Sequence, residues 1–228
     1  MSPKVSASAE HIDAQRQHRQ LLAAGMVELN IDCSTKQLDL LMRYLNLLVR
    51  WNNTYNLTAI REPAAMINLH LLDSLAVHSH IADKNRLIDV GTGPGLPGIP
   101  LAIMNPDKHF TLLDSAGKKT RFLFQVRTEL GLDNVTEINR RAEAYEPTEH
   151  YDTVLSRAFS SLSDMLDTCE HLLTSQGCFM AMKGRLSESE LAGIPSRYSV
   201  DALCRLNIPE VEGERHLIIL SHNKLSSD

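Results

Sequence analysis

The sequence lacks the features that define several classes of protein. Its four cysteines form no Cys-x-x-Cys pair, so neither a zinc ribbon nor a thioredoxin-type redox centre is indicated. No apolar run approaches the roughly 20 residues of a membrane-spanning helix, and the N-terminus has no apolar stretch typical of a signal peptide. The ten histidines show no metal-binding spacing. We therefore expect a cytoplasmic protein with no metal site and no membrane association.

Positive charge is not in excess either. Lysine and arginine number 23 against 28 aspartates and glutamates, a formal net charge of −5. A general polyanion binder needs a strongly basic face, so this balance argues against one and leaves room for a local basic patch. Hydrophobic residues make up 43% of the chain and charged residues 22%, which excludes a chain that is disordered throughout.

The pattern along the 228 residues divides the chain into three parts. Residues 1–12 are small and polar without periodicity and predict a disordered tail. Residues 13–82 predict a small helical part, with a capping box at Ser34 and Gln37 before a helix whose apolar residues recur at three- and four-residue steps. Residues 83–228 alternate between short apolar runs and helical patterns. Strands are predicted over 86–90, 110–113, 135–138, 153–155, 178–182, 202–208 and 216–220.

This alternation is typical of the α/β doubly wound class, a parallel sheet with helices on both faces. Only a short segment, 209–213, separates the last two strands. Because it is too short for a crossover helix, we expect them to form an antiparallel hairpin at the C-terminal end of a mixed sheet.

A glycine-rich segment follows the first predicted strand, and we expect Gly91, Gly93 and Gly95 to bind a ligand there. Glycines at this position let the chain turn tightly and let a ligand approach the main chain. Counted from Gly91, the third glycine of a dinucleotide site is replaced by Leu96, and two prolines stiffen the turn. These departures favour a ligand without a pyrophosphate, such as S-adenosylmethionine. No Gly-Lys-Ser/Thr sequence closes a P-loop.

An acidic residue follows the second predicted strand, about 20 residues after the glycine-rich segment. Asp114 lies 23 residues after Gly91, and a carboxylate about 20 residues beyond such a loop accepts hydrogen bonds from ribose hydroxyls. We therefore expect Asp114 to bind the ribose of an adenosine ligand. Ala142 and Glu143 follow the third strand, where the adenine ring would lie.

Seven separate segments resemble, in order, the glucose-inhibited division protein B family, the 16S ribosomal RNA 7-methylguanosine methyltransferases also called small-subunit methyltransferase G. The resemblance runs from about residue 21 to the end of the chain. The segments are WNNTYNLT, HLLDS, DVGTGPGLPGIPL, LDS, RAE, SRA and GERH, at residues 51–58, 70–74, 89–101, 113–115, 141–143, 156–158 and 213–216.

The resemblance implies a class I methyltransferase domain over 83–228 that uses S-adenosylmethionine. The implied substrate is one guanine of the 530 loop of 16S ribosomal RNA, and we expect a monomer that acts on the small ribosomal subunit. Carried over by position, the cofactor contacts are Gly91, Leu96, Ala142, Glu143 and Arg157.

Guanine N7 has an exposed lone pair and no proton, so its methylation needs no general base and depends on positioning. The sequence agrees with this chemistry in two absences. No Asn-Pro-Pro-Tyr segment, the motif used to methylate exocyclic amines, follows the fourth strand. There is also no Pro-Cys pair of the kind that supplies the nucleophile for methylation of cytosine C5. The candidates for catalytic roles are Arg157, which could hold cofactor or base, Lys183, which could contact an RNA phosphate, and His70.

Two other functions remain open on the sequence alone. One is a methyltransferase for a small metabolite, against which the basic residues near the loop argue mildly. The other is a non-catalytic nucleotide-binding module, which could hold NAD. Trp51 and Tyr55 could stack on bases, although packing between the helical part and the sheet is the expectation for both.

Overall fold

The computed structural model describes residues 3–223, with side chains described from residue 12 onward. Its helices are α1 (Pro3–Glu28), α2 (Thr35–Tyr55), α3 (Pro63–Met66), α4 (Asp73–Leu75), α5 (Gly98–Met104), α6 (Gly117–Leu130), α7 (Leu162–Cys169) and α8 (Glu188–Ala192). Its strands are β1 (Arg86–Val90), β2 (His109–Leu113), β3 (Val135–Ile138), β4 (Tyr151–Ser156), β5 (Leu173–Lys183), β6 (Tyr198–Arg205) and β7 (His216–His222).

The predicted fold class is confirmed. One seven-stranded sheet has the order β3-β2-β1-β4-β5-β7-β6. Strands β1 to β5 run parallel, while β7 pairs antiparallel with both β5 and β6. The chain moves outward from β1 to β3 on one side and then returns to place β4 on the other side of β1. In open sheets of this kind, ligands bind where the strand order reverses, at the carboxyl ends of the strands.

The N-terminal end of the chain differs from the expectation. Residues 3–12 were predicted to be part of a disordered tail, but α1 begins at Pro3. Proline suits the first position of a helix, and alanines and a glutamate follow without a helix breaker. Residues 1 and 2 of the predicted tail lie outside the described residues. Helical propensity therefore outweighs the missing apolar periodicity in this segment.

Helix α2 starts as predicted. The Ser34 side chain accepts a hydrogen bond from the Gln37 main chain, and the Gln37 side chain accepts one from the Ser34 N–H, which confirms the capping box. Between α3 and α4 the chain is π-helical over Ile67–Leu72, within the part predicted to be helical. The short α8 was not predicted, and it begins at a Ser187 cap.

The helical part and the sheet share one hydrophobic core. Leu22 of α1 and Leu45 of α2 belong to the same buried cluster as Leu101 of α5 and Phe122 of α6. A second cluster lies under α7, against β4 and β5. The ring of Trp51 lies 5.5 Å from that of Phe122, so Trp51 packs between α2 and α6, in line with the packing role expected for it. The N-terminal helices thus support the elements that carry the glycine loop.

Candidate active site

The glycine loop is held in place from below by a buried carboxylate. Asp89 Oδ2 in β1 accepts hydrogen bonds from the Thr92 hydroxyl at 2.7 Å and from the Gly98 N–H at 2.8 Å. Burial is the main cause that raises the Asp89 pKa to about 6, and these two donors oppose the rise. Gly91, Gly93 and Gly95 all have positive φ angles, of 69°, 62° and 100°. Positive φ angles are unfavourable for residues with a side chain, which explains why glycine occupies these three positions.

The loop is also held from the neighbouring strand and from α2. Asp114, directly after β2, accepts the Gly93 N–H on Oδ2 at 2.9 Å and the Ala116 N–H on Oδ1 at 2.8 Å. The hydroxyl of Tyr44, a fully buried residue of α2, donates to the Pro94 carbonyl at 2.8 Å. The loop conformation is therefore fixed by contacts that span 50 and 21 residues of sequence.

A cleft of about 310 Å³ opens at the carboxyl ends of β1, β2 and β3. Four residues predicted to bind cofactor line it, namely Gly91, Asp114, Ala142 and Glu143. Its opposite wall is formed by Ala158 and Phe159, after β4, and by Thr168 of α7. Its basic residues are Lys119, Arg140 and Arg141. The cleft therefore combines accessible main chain at Gly91, carboxylates and cations at the point where the strand order of the sheet reverses.

The close main-chain approach depends on Gly91. A Cβ atom built on this residue would lie 2.6 Å from the Ala158 Cβ across the cleft, so a larger residue would narrow the cleft at its floor.

The Asp114 carboxylate can accept a further hydrogen bond from a ligand. A carboxylate offers about four lone-pair sites, and Asp114 receives the Gly93 and Ala116 N–H groups and Lys119 Nζ at 3.3 Å. One further hydroxyl donor fits this inventory.

The other predicted cofactor residues do not line the cleft. Leu96 is 3% exposed and belongs to the hydrophobic core. A Cβ atom on Gly95 would meet Ile99 and Leu123 within 3 Å, so this glycine permits packing of the loop on α5 and α6. Gly93 acts through its N–H to Asp114. These residues shape the loop from behind.

Comparison of the sequence with known proteins shows the family of this chain. The model of the rRNA small subunit methyltransferase G family (GidB) matches residues 37–218. The chain belongs to that family. Ribosomal RNA small subunit methyltransferase G of Salmonella arizonae is 51% identical over 198 residues, which cover 87% of this chain and 95% of the relative. The protein of the same name from Shewanella piezotolerans is 50% identical over 193 residues, covering 85% and 93%.

Solved structures agree on the fold. The precorrin-6y C5,15-methyltransferase of Geobacter metallireducens matches with a TM-score of 0.51 and 16% identity, covering 66% of this chain and 87% of that one. A SAM-dependent O-methyltransferase of Thermotoga maritima matches with a TM-score of 0.52 and 17% identity, covering 79% and 73%. At these identities the likeness concerns the fold, a Rossmann-like methyltransferase sheet. This chain, a member of the rRNA small subunit methyltransferase G family, has that sheet.

The three candidates for catalytic roles lie outside the cleft lining. Arg157 donates from one guanidinium nitrogen to Asp73 Oδ2 at 2.7 Å and to the Leu69 carbonyl at 3.3 Å. Lys183 Nζ donates to the carbonyls of Phe159 and Ser160 and pairs with Glu190 at 2.7 Å. Lys183 therefore holds the segment that forms the far wall of the cleft.

His70 is buried, and its Nε2 lies 2.8 Å from the Thr58 hydroxyl. Burial and the nearby Arg157 charge lower its pKa to about 4, so the ring is neutral near pH 7. This contact joins the π-helical segment to the loop after α2. Its place in the fold is that of an internal hydrogen-bonding group.

Three residues that support or line the cleft, or that contact the partner of Arg157, had no role predicted from the sequence. Tyr44 stands in the apolar face of α2, and its signal was a polar hydroxyl that needs a buried partner. Arg215 lies before β7 and pairs with Asp73 at 3.3 Å, a contact across 142 positions that no local pattern indicates. Phe159 lines the cleft and had only its place after β4 as a signal.

Within residues 3–223, no helix is both long and apolar enough to cross a membrane.

Proposed function

We propose that this protein transfers a methyl group from S-adenosylmethionine to N7 of a guanine in the 530 loop of 16S ribosomal RNA. The observation that carries the proposal is the cleft at the switch point, with Gly91 at its floor and Asp114 beside it, in a chain of the rRNA small subunit methyltransferase G family. The relatives' name supplies the ribosomal RNA, and the resemblance of the seven sequence segments supplies the guanine and its N7 atom.

The cleft residues fit the parts of the cofactor. We assign one ribose hydroxyl to Asp114, which keeps one acceptor site for it. We assign the adenine ring to Ala142 and Glu143, and the closest main-chain approach to Gly91. When bound, S-adenosylmethionine supplies an electrophilic methyl group on its sulfonium.

The protein's own part in the reaction is to position the two reactants. Guanine N7 carries no proton, so no residue has to remove one. Among the described residues that line the cleft there is no histidine or cysteine that would serve as a base. His70 is neutral, buried and bound to Thr58, which agrees with a role outside the chemistry.

The basic residues of the cleft support an RNA substrate. Arg140 and Arg141 are exposed at its mouth, and Lys118 and Arg121 are exposed on the first turns of α6. Cations in such a position attract the phosphate backbone, although the net charge of −5 opposes binding of free RNA in general. We therefore propose that the monomeric enzyme recognises a preassembled small subunit in the cytoplasm, whose shape adds to this local attraction.

The proposal is tested with S-adenosylmethionine that carries a tritiated methyl group. The purified protein is offered unmethylated small ribosomal subunits, protein-free 16S rRNA and a pool of small metabolites. We expect label in the subunits above all. Label in metabolites alone would make the protein a small-molecule methyltransferase, and equal label in subunits and free rRNA would contradict the preference for the assembled particle.

A thermal shift measurement distinguishes the proposed methyltransferase from a non-catalytic nucleotide-binding module. A ligand that binds the native state raises the midpoint of unfolding. We expect S-adenosylhomocysteine to raise it and NAD to leave it unchanged. The opposite result would favour a nucleotide-binding module.

A further inference from the structure

A second, smaller cavity lies next to the cleft. It measures about 110 Å³, is open to solvent on one side, and is lined by Asp73, Arg157, the ends of β5 and β7, and Leu206. Arg157 lines this cavity, whereas the next residue, Ala158, lines the cleft. The linings of the two spaces therefore adjoin in one short segment after β4, where the Phe159 carbonyl of the cleft wall accepts a hydrogen bond from Lys183 of the smaller cavity.

Asp73 holds two arginines at this cavity in different ways. Its side chain is 5% exposed, and Oδ2 accepts the hydrogen bond from Arg157. Oδ1 lies 3.3 Å from Arg215 Nε but accepts no hydrogen bond from any described residue. Arg157 is thus firmly bound. Arg215 is loosely bound, and its side chain is the more exposed of the two, at 32% against 25%.

The charges around the cavity do not balance. Lys183 is neutralised by Glu190, and Asp73 is shared between Arg157 and Arg215. Three cations against two carboxylates leave one positive charge in surplus. Arg215 is the natural carrier of that surplus, because one of its nitrogens donates to the Glu214 carbonyl and its other contact is the long one to Asp73.

The chemistry of the cavity points to a phosphate group. The cavity measures about 110 Å³, against about 310 Å³ for the cleft, so it suits a small polar group. A guanidinium fork matches phosphate oxygens in geometry as well as in charge. Gly184 leaves the approach to Arg215 open, since a Cβ there would come no nearer than 3.8 Å to its neighbours.

We propose that Arg215 binds a phosphate of the RNA strand next to the target nucleotide and acts as a positioning residue for methyl transfer. This inference rests on the proposed function. Asp73 keeps the guanidinium at the cavity before RNA arrives, and the loose contact lets it turn to the phosphate. The cofactor's own carboxylate is the competing anion, but Arg215 does not line the cleft assigned to the cofactor.

The experiment compares Arg215→Gln, Arg215→Lys and Arg197→Gln with the wild-type protein. Arg197 is an exposed arginine before β6, at the opposite end of the same hairpin, and it pairs with Asp167 and Glu170. Its replacement removes the same charge far from the cavity. Methylation of unmethylated small subunits is measured at several salt concentrations, and binding of S-adenosylhomocysteine is measured by calorimetry.

We expect Arg215→Gln to raise KM for the subunits by roughly tenfold or more, since a hydrogen bond to a charged group is lost. The slope of log KM on log salt should fall by about 0.7–1, the contribution of one phosphate contact. Arg215→Lys should keep that slope, because lysine still binds phosphate as a point charge. Arg197→Gln should resemble the wild type, and the affinity for S-adenosylhomocysteine should not change.

Three results would overturn the inference. An unchanged KM and salt slope in Arg215→Gln would show that no phosphate contact was lost. Weaker binding of S-adenosylhomocysteine with an unchanged salt slope would assign Arg215 to the cofactor. If Arg215→Gln does not fold, the salt slope of Arg215→Lys decides, since a loss of slope there contradicts a phosphate contact. The proposed function fails separately, when the wild-type protein methylates no subunits.

Discussion

The Asp114 carboxylate accepts the Gly93 N–H at 2.9 Å and so ties the end of β2 to the loop that follows β1. The residue expected to bind the ribose therefore also shapes the glycine loop. Substitution of Asp114 should affect cofactor binding in both ways, through a lost ligand contact and through a loosened loop.

We predict that Asp114→Ala weakens binding of S-adenosylhomocysteine by roughly 1–3 kcal/mol, because the ribose hydroxyl is left without its acceptor. Calorimetric titration measures this loss, and the unfolding midpoint should fall as well because the Gly93 and Ala116 N–H groups lose their acceptor. Asp107→Ala, an exposed acid before β2, removes the same charge as a control. An unchanged dissociation constant in Asp114→Ala would mean that Asp114 is misassigned.

Gly91 offers a test with a closely matched control. Gly91 and Gly131 have φ angles of 69° and 66°, but a Cβ on Gly131 would meet nothing within 4 Å, whereas one on Gly91 would meet Ala158 at 2.6 Å. Alanine at either position should cost about 1–2 kcal/mol of stability for the left-handed conformation. We expect Gly91→Ala alone to lose affinity for S-adenosylhomocysteine. Equal affinities in the two variants would contradict the placement of the cofactor against Gly91.

Tyr44 should support the loop through its hydroxyl. Tyr44→Phe leaves the buried Pro94 carbonyl without its donor, and we expect the free energy of unfolding to drop by about 1–3 kcal/mol. Denaturation in urea measures it. Tyr55→Phe, at the last residue of the same helix and 44% exposed, is the control and should change the stability little. A drop of the same size in both variants would show that the Pro94 contact is not what stabilises the protein.

The lowered pKa of His70 should make the stability of the protein depend on pH. Its pKa falls from 6.5 to about 4 in the folded protein, so the unfolded chain takes up the proton first as the pH drops. The stability due to the neutral ring is present above pH 6.5 and is lost between about 6.5 and 4, by roughly 3 kcal/mol. The stability difference between wild type and His70→Gln, measured in urea, should shrink over that range. A difference that stays constant would contradict the lowered pKa.

The parallel half of the fold could be predicted from the sequence because its signals are local. The run 86–90 is β1 residue for residue, and 135–138 is β3. The glycines after β1 require positive φ angles, which marks the loop from sequence alone. Strand β6 was less well predicted, at 202–208 against Tyr198–Arg205, because it is an edge strand with weak alternation and an irregular register near Val200.

The candidate site could be predicted only where its residues follow strand ends. Gly91, Asp114, Ala142 and Glu143 were found in this way, and the structure brings them to one cleft. Arg157 follows β4 and Lys183 ends β5, yet both line the smaller cavity, where they pair with Asp73 and Glu190. Asp73 comes from a segment 84 positions away, and Glu190 from the unpredicted helix α8. Their effect depends on tertiary packing, which strand and loop patterns do not encode.

The central claim is tested most directly by locating the modified nucleotide. Unmethylated small subunits are treated with the purified protein and S-adenosylmethionine, and the RNA is then reduced with borohydride and cleaved with aniline, which breaks the chain at 7-methylguanosine. We predict one new cleavage, at a guanine of the 530 loop. Methyl incorporation without cleavage, or cleavage at a guanine elsewhere in the RNA, would contradict it.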